Sequence, residues 1–237
     1  MAAPLLDVNE IDAYYGTSQA LAGMSFHVDE GQFVTLLGRN GMGKSTTVKA
    51  IVGLLQPTRG TIRFAGDEIS AAATYQIARA GIGLVPEGRQ VFPNLTVYEN
   101  LVATAHNRQA ASHPWTLERI YDIFPRLSER AKHLGSNLSG GEQQMLSIGR
   151  ALMTNPRLLI LDEATEGLAP IIRSEIWRCL RELKQSGLTM VCIDKNLNSL
   201  LALADHHYIV EKGRVVWSGS SSELEDQRAR LQAHMGI

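Results

Sequence analysis

The sequence predicts an α/β protein with a mixed sheet, built from a parallel core and an antiparallel β subdomain, together with an inserted α-helical lobe. Three observations lead to this fold class. Short apolar runs alternate with helical patterns, which is typical of a parallel sheet covered by helices. A glycine-rich segment joins one apolar run to a helix. A helix-rich stretch separates two of the apolar runs, so it is the candidate for the inserted lobe.

The first half of the chain contains the strands that begin this fold. We interpret residues 1–70 as short strands and turns. FVTLLG (33–38) is an apolar run that ends in glycine, the pattern of a buried strand, and TIRFAG (61–66) alternates as a half-exposed strand does. Helical patterns dominate residues 96–154, with a polar break near 107–114.

The second half alternates buried strands with an amphipathic helix. LLILDE (158–163) and LTMVCID (188–194) are apolar runs typical of buried strands. Residues 171–187 between them predict a helix with one apolar face. That face consists of Ile172, Ile176, Leu180 and Leu183. Residues 208–219 predict a hairpin, and the C-terminal segment predicts a short charged helix.

Composition excludes several classes of protein. The 237 residues include 23 Lys and Arg and 24 Asp and Glu, a formal net charge of −1, so binding of nucleic acid by bulk charge is disfavoured. Two cysteines, Cys179 and Cys192, are too few for a disulfide framework or a metal site. The N-terminus lacks a signal-peptide pattern, and no apolar window reaches the roughly 20 residues that span a bilayer. We therefore expect a cytoplasmic protein that does not cross a membrane.

GRNGMGKS (38–45) predicts a phosphate-binding loop because it matches G-x-x-x-x-G-K-[ST] between a strand and a helix. Its glycines let backbone N–H groups point at phosphate oxygens, and the following helix offers its positive end. Lys44 would carry a charge to the β- and γ-phosphates, and Ser45 would offer a hydroxyl to Mg²⁺. The alternative is a glycine turn followed by an exposed lysine. The predicted nucleotide-binding residues here are Gly38, Arg39, Asn40, Gly41, Met42, Gly43, Lys44, Ser45 and Thr46.

Two acids end the strand LLILDE. Asp162 would stand at the sheet edge, where a carboxylate can hold Mg²⁺. Glu163 could orient or deprotonate an attacking water. Strands often end in acids, so the segment acquires this meaning only together with the phosphate-binding loop.

LSGGEQQ (138–144) marks the start of a helix and leaves two readings open. Ser139 and the backbone N–H groups of two glycines could bind an anion. Taken alone, Ser139 and the polar residue three positions later, Glu142, form a capping-box pattern.

GRNGMGKS, LSGGEQQ and LLILDE in this order resemble the nucleotide-binding subunit of an ABC transporter, and the resemblance covers nearly the whole chain. It implies a P-loop NTPase core of the ABC ATPase fold. In that family LSGGE is the signature motif, and two subunits pair head to tail, so that each ATP lies between one phosphate-binding loop and the other subunit's signature. The implied ATP-binding residues of the signature are Ser139, Gly140, Gly141 and Glu142.

Further landmarks of the family follow from the resemblance. Tyr15 is similar to the aromatic residue that stacks on adenine, with Tyr14 as a one-position rival and a core tyrosine as the alternative. Residues 81–101 resemble the loop that joins the core to the helical lobe. Glu87 stands there where most members have Gln, and the resemblance implies catalytic and metal-binding roles for it.

Two segments point to a subgroup of the family, and one further position departs from the family pattern. VPEGR and DEATEGLAP resemble the ATP-binding subunits of branched-chain amino-acid importers and their amide and urea relatives, including Ala169 where the family normally has Asp. Lys195 falls at the position of the family's switch histidine. A lysine has three donors and no acceptor, so it could contact a γ-phosphate but could not accept a hydrogen bond from water while charged. The alternative is a solvated surface lysine.

The resemblance implies an ATP-hydrolysing subunit that uses ATP and Mg²⁺ and drives an importer of branched-chain or other hydrophobic amino acids. We expect a single ABC ATPase domain over 1–237, with a RecA-like core and β subdomain at 1–85 and 155–237 and a helical signature lobe at 86–154. Expected catalytic residues are Glu163, Lys44, Glu87 and Lys195, and expected metal-binding residues are Ser45, Glu87 and Asp162.

The implied partners are transmembrane permease subunits, a second ATP-binding subunit in a homo- or heterodimer and, indirectly, a solute-binding protein outside the membrane, with no nucleic acid. The implied location is the inner face of the cell membrane, peripherally. The alternatives are a urea or short-chain amide importer, a non-transport ABC ATPase that acts as a nucleotide-gated switch, and a binding module with little turnover. A kinase or small GTPase is less favoured because LSGGEQQ would have no role there.

Overall fold

The computed structural model describes residues 3–108 and 113–227. Its central sheet has six strands in the order β10-β9-β3-β8-β7-β6, parallel from β9 to β6 with β10 antiparallel at the edge. The strands are β3 (Phe33–Leu37), β6 (Ile82–Val85), β7 (Leu158–Asp162), β8 (Thr189–Ile193), β9 (His206–Glu211) and β10 (Arg214–Gly219). The predicted parallel core, the three predicted buried strands and the hairpin are present.

The central strands are buried on both faces because alternate side chains enter two separate cores. In β7, Leu159 and Leu161 face one apolar cluster, whereas Leu158 and Ile160 face the other. All five residues of each of β3, β7 and β8 are buried. This explains why these strands appear in the sequence as continuous apolar runs and not as alternating ones.

A second sheet lies over one of these cores and is antiparallel, in the order β2-β1-β4-β5. Its strands are β1 (Leu6–Tyr15), β2 (Ser18–Val28), β4 (Arg59–Phe64) and β5 (Asp67–Glu68). The first two strands have ten and eleven residues, so the expectation of short strands is wrong there. The register shifts between Val8 and Ile11, and Glu10 has a φ of 47°, so a bulge interrupts the alternation by which a long strand is recognised.

Nine α-helices are found in the described ranges. They are α1 (Lys44–Ile51), α2 (Thr74–Ala80), α3 (Val97–Val102), α4 (Leu117–Ile123), α5 (Pro125–Glu129), α6 (Gly140–Leu152), α7 (Pro170–Gln185), α8 (Leu197–Leu203) and α9 (Ser221–Asp226). The predicted amphipathic helix is α7, which buries Ile176, Leu180 and Leu183 and packs Ile172 against the core as a partly buried residue. The predicted C-terminal helix overlaps α9, which ends at Asp226, and the part of the prediction that falls on 228–237 lies outside the described residues.

The stretch 81–101 is more ordered than a connecting loop. Residues 82–85 form β6 and residues 97–102 form α3, so the connection itself is 86–96. The fully buried Asn100 holds this connection by accepting from the backbone N–H of Phe92 and donating to the carbonyl oxygens of Phe92 and Leu95. A single buried amide therefore organises the passage from the sheet to the helices α3–α6.

The two cysteines are free and buried, as expected from their number. Within the described part of the chain, no helix has the length and apolar character needed to span a membrane.

Candidate nucleotide-binding site

The chemistry-bearing segments follow four neighbouring strands of the central sheet. The phosphate-binding loop follows β3, Lys195 follows β8, Asp162 ends β7 and is followed by Glu163, and Glu87 follows β6. Leu161 pairs with Cys192 and Asp162 with Ile193 in the parallel register of β7 and β8. Parallel strands end at the same edge of a sheet, so segments from distant parts of the chain meet here, as in other open α/β sheets.

The phosphate-binding loop has a backbone that requires glycine at two positions. Gly38 has a φ of 141° and packs so closely against β9 that an added Cβ would overlap the carbonyl oxygen of Val210. Gly43 has a φ of 104° and is the N-cap of α1, where no side chain caps the helix. The first N–H groups of α1 are therefore not used by a capping side chain, as an anion-binding helix start requires.

Lys44 lies against its own loop and is only 8% exposed. Its Nζ donates to the carbonyl oxygen of Gly38 at 2.7 Å and to that of Arg39 at 2.9 Å. Burial lowers the pKa of Lys44, while the negative charges of Glu163 and Asp162 act in the opposite direction. The ammonium is thus held at the loop opposite two carboxyl groups.

The two predicted magnesium ligands are in contact. Ser45 Oγ donates to Asp162 Oδ1 at 3.1 Å, and Asp162 is buried. Burial raises the pKa of Asp162; the nearby charge of Glu87 acts in the same direction, and the hydrogen bond from Ser45 opposes it. A hydroxyl and a carboxylate oxygen are ligands that Mg²⁺ accepts. No cluster of three or more His, Cys, Asp or Glu residues suited to a metal occurs in the described ranges.

Glu163 is fixed by its backbone and by a neighbouring acid. It has a φ of 54°, and its N–H donates to the carbonyl oxygen of Ile193 at 2.8 Å. A hydrogen bond with Glu166 raises the pKa of Glu163 to about 7, and burial adds to this effect. The carboxyl group lines a cavity of about 370 Å³ together with Lys44 and Ser45. The side chain predicted to handle the attacking water therefore faces the loop predicted to hold the phosphates.

Glu87 lies near Asp162 and Glu163. Its side chain forms no hydrogen bond with either acid in the described structure. It lines the same cavity of about 370 Å³ and, with Asp162 and Arg150, a second cavity of about 550 Å³. The three residues after it, Gly88, Arg89 and Gln90, all have positive φ. This turn directs the chain away from the sheet edge immediately after the acid.

Lys195 is neither isolated nor simply solvated. Its ammonium forms an ion pair with Glu166, and both side chains remain about half exposed. It also lines a cavity of about 340 Å³ with Asn40, Lys44 and Glu163. The structure thus brings Lys195 to the phosphate-binding loop and gives it an acidic partner that the sequence interpretation missed.

A second link joins the ends of β7 and β8 and was also missed. Asp194 accepts from the hydroxyl of Thr165 at 2.6 Å and from its backbone N–H at 3.1 Å, and it accepts from the N–H of Asn196 at 2.9 Å. The sequence did contain one indication of this link. Asp194 and Lys195 stand at the end of one apolar run, just as Asp162 and Glu163 stand at the end of another. The pairing of the two loops needs the register of β7 with β8, which local patterns do not contain.

Both readings of LSGGEQQ are compatible with the structure. Ser139 is the N-cap of α6: its N–H and hydroxyl donate to Glu142 at 2.8 Å, and its Oγ accepts from the N–H of Glu142 at 3.3 Å. Gly140 lies against the guanidinium of Arg89, which would have to move to admit a Cβ, and Gly141 packs so closely against Ile172 that a Cβ would overlap its side chain. The walls of the three cavities lined by the loop 38–46 contain none of the signature residues.

The remaining predicted residues lie around the loop. Tyr15 is 48% exposed and Tyr14 37%, so neither is a core tyrosine. The Tyr15 ring lies 5.7 Å from the Nζ of Lys49 on α1, which places Tyr15 beside the helix that follows the loop. Met42 is anchored through its carbonyl oxygen, which accepts from Gly213 at 2.9 Å, and Thr46 lines the cavity of about 370 Å³.

Comparison with known proteins gives one family. The sequence profile of the family described as ABC transporter matches residues 21–166. The high-affinity branched-chain amino acid transport ATP-binding protein BraG of Pseudomonas aeruginosa is 40% identical over 232 residues, which is 98% of this chain and 100% of that protein. The lipopolysaccharide export system ATP-binding protein LptB of Escherichia coli K12 is 34% identical and covers 96% of this chain and 95% of its own.

Solved structures agree with this family. A nucleotide-free ATP-binding cassette from an ABC transporter superposes with a TM-score of 0.83 at 28% identity, over 96% of both chains. The ADP conformation of another ATP-binding cassette has a TM-score of 0.80 at 27% identity, over 98% of this chain and 97% of that one. With a profile match over more than half of the chain and relatives that span nearly all of it, the chain belongs to the ABC transporter family and is one of its ATP-binding, ATP-hydrolysing subunits, with the ABC ATPase fold.

Proposed function

We propose that this ATPase works as half of a two-subunit site. The observation that carries the proposal is the separation of two groups of anion-binding residues. The loop 38–46, Asp162 and Glu163 meet at one edge of the sheet, whereas Ser139, Gly140 and Gly141 lie outside the cavities that this loop lines. A second ATP-binding subunit, placed head to tail, would present its signature residues to the phosphates held by this loop.

The residues of the site suggest a separate role for each group. Lys44 exchanges its contacts with the loop carbonyls for phosphate oxygens, and the N–H groups of the loop and of α1 hold the rest of the polyphosphate. Glu163 positions or deprotonates the attacking water. The partner subunit's Ser139 donates a hydrogen bond to the charge that develops on the transferred group. Ser45, Asp162 and Glu87 would hold Mg²⁺, which would neutralise part of the negative charge of the bound phosphates.

We propose further that ATP hydrolysis drives import of branched-chain amino acids. The relative BraG, at 40% identity over 98% of this chain and the full length of that protein, supports this solute class. The subunit would then bind transmembrane permease subunits at the inner face of the cell membrane and receive solute indirectly through a solute-binding protein. A homodimer and a heterodimer with a sister subunit both satisfy the geometry.

A second candidate function has a specific observation in its favour. LptB, at 34% identity over nearly all of both chains, belongs to a lipopolysaccharide export system, and a Nod factor export protein of Paraburkholderia xenovorans is also 34% identical. An export ATPase is therefore the alternative. The higher identity to BraG favours the importer.

Reconstitution distinguishes these functions. The full chain would be co-purified with the membrane subunits that accompany it and inserted in vesicles with the matching solute-binding protein. We expect phosphate release in the presence of Mg²⁺ and ATP to increase when leucine-loaded solute-binding protein is added, and radiolabelled leucine to accumulate. Stimulation by urea, a short-chain amide or a lipid substrate in place of leucine would contradict the proposed solute class. An absence of ATP hydrolysis in every preparation would contradict the ATPase proposal itself.

A further inference from the structure

Glu166 is an acidic residue beside the proposed site to which the sequence interpretation gave no role. It lies in the loop between β7 and α7, three residues after Glu163. Its carboxylate forms an ion pair with the ammonium of Lys195, and Glu166 lines the same two cavities as Glu163. Lys195, Glu166 and Glu163, from two loops, therefore lie together.

Lys195 stands between two cavities. One, of about 340 Å³, is lined by Lys195, Lys44 and Asn40 of the phosphate-binding loop. The other, of about 470 Å³, is lined by Lys195 and Glu166. The same ammonium can therefore turn toward Glu166 or toward the space shared with Lys44, and the long, half-exposed lysine side chain permits both positions.

We propose that Glu166 is a positioning residue that competes with the γ-phosphate of ATP for Lys195. The inference rests on the proposed function of the site. Two ammonium groups that face one cavity favour a polyanion there, but the ion pair with Glu166 must be broken before Lys195 can contribute. Glu166 thereby sets the preference of the site for ATP over ADP, because only ATP carries the phosphate group that Lys195 would reach.

The backbone contacts of the two loops indicate that the ion pair between Glu166 and Lys195 is not needed to hold the loops in place. The ion pair is therefore free to compete with a bound phosphate. Asp194 fixes the start of the Lys195 loop through Thr165, at 2.6 Å from its hydroxyl and 3.1 Å from its N–H. The backbone around Lys195 and Glu166 is therefore held without their ion pair. Both side chains are about half exposed, which is the range in which an ion pair contributes little to stability but can still exchange partners.

The competition predicts opposite effects of two single substitutions on the affinity for a nucleoside triphosphate. The probes are AMP-PNP, an ATP analogue that resists hydrolysis, and ADP, each titrated into the full chain with Mg²⁺ by calorimetry. Glu166→Gln should bind AMP-PNP about two- to fivefold more tightly, since an exposed ion pair of this kind no longer opposes binding. Lys195→Gln should bind AMP-PNP about fivefold more weakly. Affinity for ADP should stay within about twofold in both variants.

A double variant and a control variant make the test specific. In the Lys195→Gln background, Glu166→Gln should have no additional effect on AMP-PNP affinity, because residues that act through one another are not additive. Glu182→Gln removes an equal charge from α7, where Glu182 pairs with Arg178 at 4.0 Å, and should leave both affinities unchanged.

The outcomes separate this inference from the proposed function. Equal shifts for AMP-PNP and ADP in Glu166→Gln, or an unchanged AMP-PNP affinity, would overturn the competition while wild-type nucleotide binding still supported the ATPase site. Additive effects of the two substitutions would also overturn it. A wild-type chain that binds neither nucleotide would instead refute the proposed function, and the inference with it.

Discussion

Individual side chains at the edge of the central sheet act through contacts that come from different loops. Glu163 is the sharpest example, because its φ of 54° and its hydrogen bond to the β8 backbone fix where its carboxyl group can be. Its neighbour Asp162, one residue earlier, instead contacts Ser45 at 3.1 Å. The two adjacent acids therefore contact different partners. This difference depends on the individual residues and is not contained in the sequence motif.

Glu163→Gln gives the first prediction at this scale. The amide keeps the shape of the side chain but cannot act as a base, so turnover should fall by about 10²–10⁴-fold. Binding of ATP should persist, because the residues of the phosphate-binding loop are unchanged. Phosphate release and nucleotide titration would measure the two effects. Undiminished turnover in Glu163→Gln would contradict the role given to Glu163.

His207 gives a second residue-scale prediction, on stability. It is fully buried; its Nδ1 lies 2.6 Å from the hydroxyl of Thr35, and its Nε2 lies 2.9 Å from that of Ser221. Burial lowers the pKa of His207 to about 4. The unfolded chain binds a proton below about pH 6.5 and the folded chain does not, so stability is lost as the pH falls from 6.5 to 4. We expect His207 to contribute a loss of up to ~1.4 kcal/mol per pH unit in that window.

Urea denaturation at several pH values would test this loss. The slope of unfolding free energy against pH between 6.5 and 4 should decrease in His207→Gln. The exposed His113 offers a control, since His113→Gln should leave the slope as it is. If wild type and His207→Gln lose stability in parallel, the acid sensitivity originates elsewhere.

At the scale of elements, three helices begin with the same device. Thr96 with Glu99, Ser139 with Glu142 and Ser220 with Glu223 form capping boxes at the starts of α3, α6 and α9. In each, the acid accepts from the backbone N–H and the hydroxyl of the cap residue. The start of α6, which is assigned to the nucleotide site, therefore has the same local geometry as the starts of α3 and α9, which are not.

This repetition provides a matched pair of variants. Ser139→Ala and Ser220→Ala should each cost about 1 kcal/mol of stability, because each removes one capping hydroxyl. Only Ser139→Ala should reduce ATP turnover, by about 10²–10³-fold if its hydroxyl stabilises the transferred group. Equal turnover in the two variants would restrict Ser139 to its capping role. Thermal unfolding and phosphate release measure the two quantities.

At the scale of the whole molecule, the loop 38–46 and the segment 138–144 do not meet in any of the three cavities described above, which loop residues line without 138–144. Two apolar cores fill the faces of the central sheet, and the helices α3–α6 lie beyond the connection 86–96. The division into 1–85 with 155–237 and an inserted 86–154 stays a prediction. This separation supports the proposal that a second subunit completes each ATP site.

Complementation tests that implication. Lys44→Ala and Ser139→Ala should each be inactive as homodimers, because every site lacks one essential group. In a mixed dimer, one site combines the intact Lys44 of one subunit with the intact Ser139 of the other. An equal mixture that exchanges subunits freely should therefore recover about a quarter of wild-type turnover, since half of the dimers are mixed and each has one good site of two. Activity no higher than that of the separate variants would argue against a shared site.

Much of this protein was determined by its sequence alone. The continuous apolar runs specified the buried strands, and the glycine-lysine-serine pattern specified the phosphate-binding loop, because both are local requirements of backbone geometry and burial. The bulged β1, β6 within 81–101 and the partners of Lys195 and Asp194 did not follow from local patterns. Glu166 and Lys195 are 29 residues apart in the chain, and only the parallel pairing of β7 with β8 brings them together. Only the tertiary structure could decide these contacts. The register between strands is fixed by packing on both faces of the sheet, and not by the residues at the strand ends that form the site.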